Sequence, residues 1–113
     1  MKKKLTILLN RVWFPPSEGN KVGKAYIDWL KDNPQDKTVI KMLGIGVSSS
    51  EDGNILIYGF DTIMNGKEKE GLEYTTKQDL FMASKINDFK YKVEVILDFT
   101  EAYKIINMTA PEV

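Results

Sequence analysis

Apolar residues recur along this chain with two different spacings, and the spacing changes from segment to segment. Where every second residue is apolar, side chains alternate between two faces, as in a β-strand. Where apolar residues recur every third or fourth position, they form one stripe on a helix. The pattern predicts four strands at residues 5–14, 38–50, 55–64 and 91–99 and helices over about 17–31, 75–87 and 99–106.

The centre of the pattern is a predicted hairpin between the second and third strands. Asp52-Gly53 separates two runs rich in β-branched and aromatic residues, and this dipeptide is typical of a two-residue type I′ turn. That turn predicts one continuously bulky face and, on the other face, a patch of glycines. The patch favours close helix packing or a bulge, or else the floor of a ligand cavity. The predicted cross-strand partners are Val47 with Tyr58, Ile45 with Phe60, Leu43 with Thr62, Gly46 with Gly59, and Gly44 with Asp61.

The third strand is apolar on both of its faces. Ile55, Ile57 and Ile63 alternate with Tyr58 and Phe60, whereas a half-exposed antiparallel strand alternates apolar with polar residues. Helices of the same chain can cover one face. The other face then needs a ligand, a second sheet or a second subunit.

Polar residues before the apolar stripes predict where the helices begin. Ser17 or Asn20 can cap the first helix, which Pro34 follows. Thr75 with Gln78 and Thr76 with Asp79 resemble capping boxes, which predicts a second helix burying Leu80, Ala83 and Ile86. Residues 65–73 before them are charged and contain glycine, so we expect a solvated loop or a flap over a pocket. Asp98 with Glu101 predicts the cap of a short third helix.

Composition excludes several classes of function. The 113 residues suffice for one domain, 1–113, with its own core. The chain contains no Cys and no His, which excludes disulfides, catalytic thiols, imidazole bases and His-ligated metals or haem. We therefore expect no metal and no cofactor.

Charge and hydropathy define the expected surroundings of the protein. Sixteen basic and sixteen acidic residues cancel, and Arg11 is the only arginine, so nucleic acid is not an expected partner. The amino-terminal MKKKLTILLNR has an apolar run of only five residues, 5–9, and no cleavage site, which favours a first strand over a signal peptide. No apolar run is long enough for a membrane span. We expect a cytoplasmic protein that associates with neither membrane nor nucleic acid.

The element order β-α-β-β-α-β predicts an α+β, ferredoxin-like fold: a four-stranded antiparallel sheet, two helices on one face and a short carboxy-terminal helix. Its open face would expose a large apolar patch. The chain resembles the dimeric α/β-barrel superfamily over residues 4–107, through RVWFPP at 11–16, GIGVSSSEDGNILIYGF at 44–60 and YKVEVILDFTEAYKII at 91–106. It is most similar to small members without an assigned activity. The resemblance implies a homodimer in which two sheets pack face to face.

Three functions are compatible with such a dimer. The first is small-molecule binding between sheet and helices, with a lining predicted to contain Asn10, Arg11, Trp13, Tyr58, Phe60 and Asp61. In this set Tyr58 and Phe60 are alternatively dimer core, and Arg11 alternatively forms an ion pair. A preformed cavity of about 300 Å³ or more with convergent polar groups would favour binding or catalysis.

The other two functions are catalysis and pure assembly. Some barrel families oxidise aromatic substrates without a cofactor, and Asn10, Arg11, Trp13 and Tyr58 supply the side-chain types they use. An isomerase would instead need a carboxylate such as Asp61 or Glu94, with burial raising its pKa. The third function is a structural dimer that interacts with another protein.

Overall fold

The computed structural model describes residues 6–112, which form a four-stranded antiparallel sheet with three α-helices. The predicted α+β class is confirmed, and the spatial order of the strands is β2-β3-β1-β4. Leu5, predicted to begin the first strand, lies outside the described residues. The elements are β1 (Thr6–Phe14), a 3₁₀ turn (Pro16–Glu18), α1 (Gly19–Asp32), β2 (Ile40–Ser49), β3 (Ile55–Ile63), α2 (Glu68–Lys85), β4 (Lys90–Ile96) and α3 (Phe99–Ile105).

The two longer helices cover one face of the sheet, and the core lies between. Strand β1 is central and alternates strictly: its even-numbered residues Leu8, Asn10, Val12 and Phe14 are buried, while its odd-numbered residues are partly exposed. Helix α1 contributes the predicted stripe, of which Val22, Ala25 and Trp29 are buried. The two faces of β1 therefore have different roles. One is core, and the other is the open face of the sheet.

The hairpin loop has three residues, so the predicted two-residue turn is wrong. The Gly53 amide donates to Ser50 O at 3.1 Å and the Ser50 amide donates to Asn54 O at 2.9 Å. Gly53 has φ +84°. This is a turn followed by a left-handed glycine, a three-residue connection that also favours Asp-Gly. The extra loop residue moves the register by one.

That single step changes which side chains share a face. Val47 pairs with Ile57 and Ile45 with Gly59, not with Tyr58 and Phe60. The predicted glycine patch does not form. Gly44 and Gly46 lie beside Phe60 and Tyr58 on the open face, whereas Gly59 lies beside Asn10 on the covered face. A further irregularity between Met42 and Gly44 leaves Leu43 without a directly paired partner.

Helix α2 begins at Glu68, seven residues before the predicted start, and most of the segment 65–73 is therefore helical. Its first turn carries Glu68 and Glu70. Negative charges at this position stabilise a helix because they interact favourably with the positive amino-terminal end of its dipole. Gly71, predicted as a loop glycine, lies inside the helix directly over Ile63. A Cβ there would sit 2.8 Å from Ile63 Cδ1. Glycine allows the helix to approach the sheet this closely.

The early start also changes the buried face of α2. Buried positions are Gly71, Thr75, Asp79 and Met82, followed by Ile86 just after the helix. Leu80 and Ala83, predicted to be buried, are exposed. Thr75 caps nothing, since it lies two turns inside the helix. Of the four predicted capping residues, Thr75 and Asp79 are buried core positions with polar side chains, whereas Thr76 and Gln78 are partly exposed.

The carboxy-terminal part of the chain is confirmed in outline. Strand β4 lies at a sheet edge, as predicted, and ends at Ile96. Asp98 caps α3 by accepting a hydrogen bond from the Glu101 amide at 2.7 Å. Helix α3 buries none of its residues, and Phe99 and Ile105 are largely exposed. Among the described helices none has the length and apolarity needed to cross a membrane.

Candidate functional site

A cavity of about 170 Å³ lies between the covered face of the sheet and helices α1 and α2. Strands β1, β2 and β3 form its floor and the two helices form its walls. Its lining combines apolar side chains with a group of polar ones. The polar lining residues are Asn10, Tyr26, Gln35, Asp61, Tyr74, Thr75, Gln78 and Asp79.

A buried pair, Asn10 and Asp79, forms the polar centre of this lining. Asn10 lies mid-strand in β1 and points to the covered face, and Asp79 lies on the buried stripe of α2. The Asn10 amide nitrogen Nδ2 donates to Asp79 Oδ1 at 3.1 Å. The remaining oxygens, Asn10 Oδ1 and Asp79 Oδ2, are buried and have no hydrogen-bond partner in the protein. Two acceptors therefore lie unsatisfied at a cavity wall.

Burial determines the ionisation of Asp79. Its side chain is fully buried, and desolvation raises its pKa to about 7, against a smaller lowering effect of the hydrogen bond from Asn10. Removing a carboxylate from water disfavours its charged form. Asp79 thus exchanges its proton near neutral pH, unlike an ordinary aspartate.

A second carboxyl group, Asp61 on β3, lines the same cavity. It is buried, and desolvation raises its pKa. Gln35 Nε2 lies 3.5 Å from Asp61 Oδ1, a long hydrogen bond from the segment after α1. Among residues 6–112 no group of three or more acidic, His or Cys side chains is placed to hold a metal ion.

Two tyrosines complete the polar lining. The Tyr74 hydroxyl donates to Asn33 O at 2.7 Å and so links α2 to the end of α1. Burial raises the pKa of Tyr74 and of Tyr26. Both phenols remain neutral over the physiological range. The acidity of the site therefore comes from Asp61 and Asp79.

The six predicted ligand-binding residues do not come together. Asn10 and Asp61 line the cavity, whereas Arg11, Trp13, Tyr58 and Phe60 lie on the open face of the sheet. Neighbouring residues of a strand point to opposite faces, so Asn10 and Arg11 cannot reach one pocket. On the open face Arg11 forms an ion pair with Glu94. Arg11 and Trp13 also border a shallow depression near the hairpin loop.

The same division affects the two catalytic alternatives. The side chains suggested for a cofactor-independent oxygenase are split, since Asn10 faces the cavity and Arg11, Trp13 and Tyr58 face away from it. Of the two carboxylates suggested for an isomerase, Asp61 lies in the cavity and Glu94 pairs with Arg11 on the other face.

Sequence reasoning missed Asp79, Thr75, Tyr74 and Gln78. The capping pattern predicts that Thr75, Gln78 and Asp79 lie at a helix end. Their spacing contains the missed signal: Thr75, Asp79, Met82 and Ile86 follow one another at helical intervals. Polar residues within such a stripe indicate a polar site in the core.

Comparison with known proteins defines the fold only. No family model matches the chain, and no curated protein does. Among solved structures it is similar to the de novo designed protein Foldit4, with 6% identity, 84% of this chain and 99% of that chain covered, and a TM-score of 0.56.

Two natural structures show weaker likeness. The carboxy-terminal domain of the MgtC protein from Mycobacterium tuberculosis is 14% identical, covers 83% of this chain and 93% of its own, and has a TM-score of 0.49. A tripeptidase from Staphylococcus aureus is 9% identical over 80% of this chain and 29% of its own, with a TM-score of 0.47. Neither value supports an argument about function.

Proposed function

We propose that this protein is a ferredoxin-like, dimeric α/β-barrel protein that binds a small molecule in the cavity between its sheet and helices. The observation that carries the binding function is the pair of unpartnered acceptors, Asn10 Oδ1 and Asp79 Oδ2, on the cavity wall. A buried polar atom without a partner costs about 1–3 kcal/mol. A ligand with hydrogen-bond donors would recover that free energy.

The size of the cavity limits the ligand. At about 170 Å³ it falls short of the roughly 300 Å³ that we expect of a binding or catalytic site from the sequence and that drug-sized molecules need. If each non-hydrogen atom takes up about as much space as a water molecule in the liquid, ~30 Å³, the cavity holds about six such atoms. The ligand is therefore a small compound and not a polycyclic aromatic substrate.

The open face of the sheet supports the pairing of two subunits. Arg11 and Lys92 lie side by side there and share Glu94, so the charged part of this face carries one net positive charge within an apolar surround. Phe60 is 37% exposed in the single chain. The strand order, read from the other edge as β4-β1-β3-β2, and the two helices on one face support the ferredoxin-like assignment. Seven apolar side chains occupy this face: Ile7, Leu9, Trp13, Leu56, Tyr58, Phe60 and Ile96.

A fragment screen by ligand-observed NMR tests the binding function. The set contains amines, alcohols and carboxylates of up to about six non-hydrogen atoms. We compare the wild type with Gly59→Leu, which extends a side chain into the cavity from β3, and with Val47→Leu, which enlarges an exposed residue of β2 outside it. We expect fragments that bind the wild type and Val47→Leu but not Gly59→Leu.

Two outcomes contradict the binding function. Either no fragment of any class binds, or binding is unchanged in Gly59→Leu with a native-like spectrum. A dimer without binding would instead favour the structural role considered from the sequence.

A further inference from the structure

The chemistry of the cavity lining selects one class of ligand. The titratable residues that line it are Asp61 on β3, Asp79 and Tyr74 on α2, and Tyr26 on α1. Within the described chain the lining contains neither lysine nor arginine. Every charge that this lining can develop is therefore negative.

The lining contains donors, such as the Thr75 hydroxyl and the Gln78 amide, but its two buried atoms without a partner are both acceptors. Asn10 uses an amide N–H on Asp79 Oδ1, which leaves its carbonyl oxygen and the second Asp79 oxygen as acceptors. Both residues are at least nine-tenths buried. Such a pair requires a ligand that donates two hydrogen bonds from one end. A carboxylate or a phosphate would instead present further acceptors to these oxygens.

The rest of the lining is apolar. Val12, Ile57, Met82 and Phe89 contribute from both strands and helices. A short alkyl chain matches these walls and the volume of about 170 Å³. An ammonium group on that chain would bring two or three N–H donors and the compensating charge that a buried carboxylate requires.

We infer that the cavity binds a small organic cation, an alkylammonium compound whose N–H groups donate to Asp79 Oδ2 and Asn10 Oδ1. This inference rests on the proposed binding function and names its ligand class. A neutral alcohol of the same length donates one hydrogen bond and brings no charge, so it is the matched comparison.

The state of Asp79 makes binding depend on pH. With its pKa raised by burial to about 7, Asp79 is about one-tenth ionised at pH 6 and about nine-tenths ionised at pH 8. An alkylammonium group with a pKa near 10 stays charged at both values. If only the ionised form binds, affinity is about tenfold higher at pH 8. Burial also raises the pKa of Asp61, which acts in the same direction, while Tyr26 and Tyr74 remain neutral.

The test is to titrate the full chain separately with n-butylammonium, n-butanol and propionate. Binding is monitored by the NMR chemical shifts of the backbone amides at pH 6 and at pH 8. We expect n-butylammonium to shift residues of the cavity at pH 8 and to bind about tenfold more weakly at pH 6. Asp79→Asn should weaken binding at pH 8 at least tenfold. Asp28→Asn makes the same substitution at an exposed position of α1 and should leave binding unchanged.

The outcomes separate this inference from the function on which it rests. The assignment of an organic cation is overturned if n-butanol or propionate binds more tightly than n-butylammonium. It is also overturned if n-butylammonium binds equally well at pH 6 and pH 8. Either result leaves small-molecule binding intact. Displacement of n-butylammonium by Mg²⁺ or Ca²⁺ from the same residues also overturns the assignment of an organic cation. No binding by any fragment overturns both. The pH ratio is measured on the wild type, so the inference stays testable if Asp79→Asn does not fold.

Discussion

Asp79 is the residue with the largest consequences for this molecule. It is fully buried and makes one hydrogen bond, so half of its carboxyl group is unsatisfied. A buried carboxylate in this state opposes folding when it is charged. Residues that reduce stability in this way are concentrated at functional sites.

Asp79 should make stability fall as pH rises. Its pKa is about 7 in the folded protein and about 3.9 in the unfolded chain, so the folded state binds more protons between these values. The free energy of unfolding should therefore decrease by up to about 1.4 kcal/mol per pH unit from pH 4 to pH 7, for this group alone. Urea unfolding of the wild type and Asp79→Asn across this range measures the difference.

The substituted protein separates Asp79 from the other acids. Asp61 contributes in the same direction, because burial raises its pKa, whereas the pKa values of Asp36 and Asp52 are lowered by hydrogen bonds from Thr38 and Ser50. These contributions persist in Asp79→Asn and cancel in the comparison. If the free energy of unfolding changed with pH by the same slope in the two proteins, the pKa of Asp79 would not be raised by folding.

At the scale of elements, the close contact between α2 and β3 is the most specific packing interaction. Gly71 lies against Ile63, which is fully buried and belongs to the core around Leu8 and Ile40. The three nearest atoms all belong to the side chain of Ile63, which is β-branched and fully enclosed and therefore has little room to turn away. The helix and sheet are fixed at a separation that only glycine permits.

Gly71→Ala should therefore destabilise the protein, although alanine is the better helix former. Its Cβ would lie within 3.0 Å of three Ile63 atoms, and overpacking of this kind costs about 1–3 kcal/mol. The helix propensity gain of up to about 1 kcal/mol offsets part of this cost. Denaturant unfolding should show a net loss of up to about 2 kcal/mol.

Gly23→Ala is the matched control in the other helix. A Cβ at Gly23 meets nothing within 4 Å, so this substitution should stabilise by up to about 1 kcal/mol. Equal effects of the two substitutions would contradict the close contact at Gly71.

The elements also show where sequence reasoning succeeds. The alternation of apolar residues identified four strands, three helices and the Asp98 cap, because these depend on local chemistry. The hairpin register depended on whether Asp-Gly forms a two- or a three-residue loop, and both loops accept that dipeptide. An error of one residue in the loop length shifts the predicted partners of Ile45 and Val47 by one position along β3.

The candidate site was predicted only in part for a related reason. Of the six predicted lining residues, Asn10 and Asp61 line the cavity. Asp79 was missed because its helix began seven residues earlier than the capping pattern indicated. The contact that fixes the start of α2, Gly71 against Ile63, joins distant parts of the chain and has no local sequence signal.

At the scale of the whole molecule, the single chain is extended and exposes apolar side chains. Its radius of gyration is 15.8 Å, against about 13 Å for a compact domain of this length. Phe60 on the open face of β3 is 37% exposed, and Ile105 on α3 is 68% exposed. Surfaces of this kind indicate an interface, which is consistent with the proposed homodimer.

Tyr58→Glu should dissociate that dimer. Tyr58 is partly buried on the open face beside Arg11 of β1, and pairing two sheets would bury the new charge from each subunit. Even beside Arg11, each carboxylate would lose its contact with water when the sheets meet, and this desolvation costs several kcal/mol per ion. Light scattering coupled to size exclusion should change from twice the chain mass to the chain mass.

Ile27→Glu is the control for this change. Ile27 is 58% exposed on α1, on the helical side of the molecule, so the same charge should leave the mass unchanged. A wild type that elutes as a monomer at micromolar concentration, or a Tyr58→Glu protein that stays dimeric, would refute pairing through the sheet.

The strict alternation of β1 has a consequence for how this chain can vary. Its even-numbered residues meet the helices and its odd-numbered residues face outwards, so deleting one residue within the strand would invert every side chain beyond the deletion. Substitutions in β1 change one contact each, but a change of length would carry the guanidinium of Arg11 inward and the amide of Asn10 outward. Natural differences in length should therefore be confined to segments such as 33–39, outside the ladder.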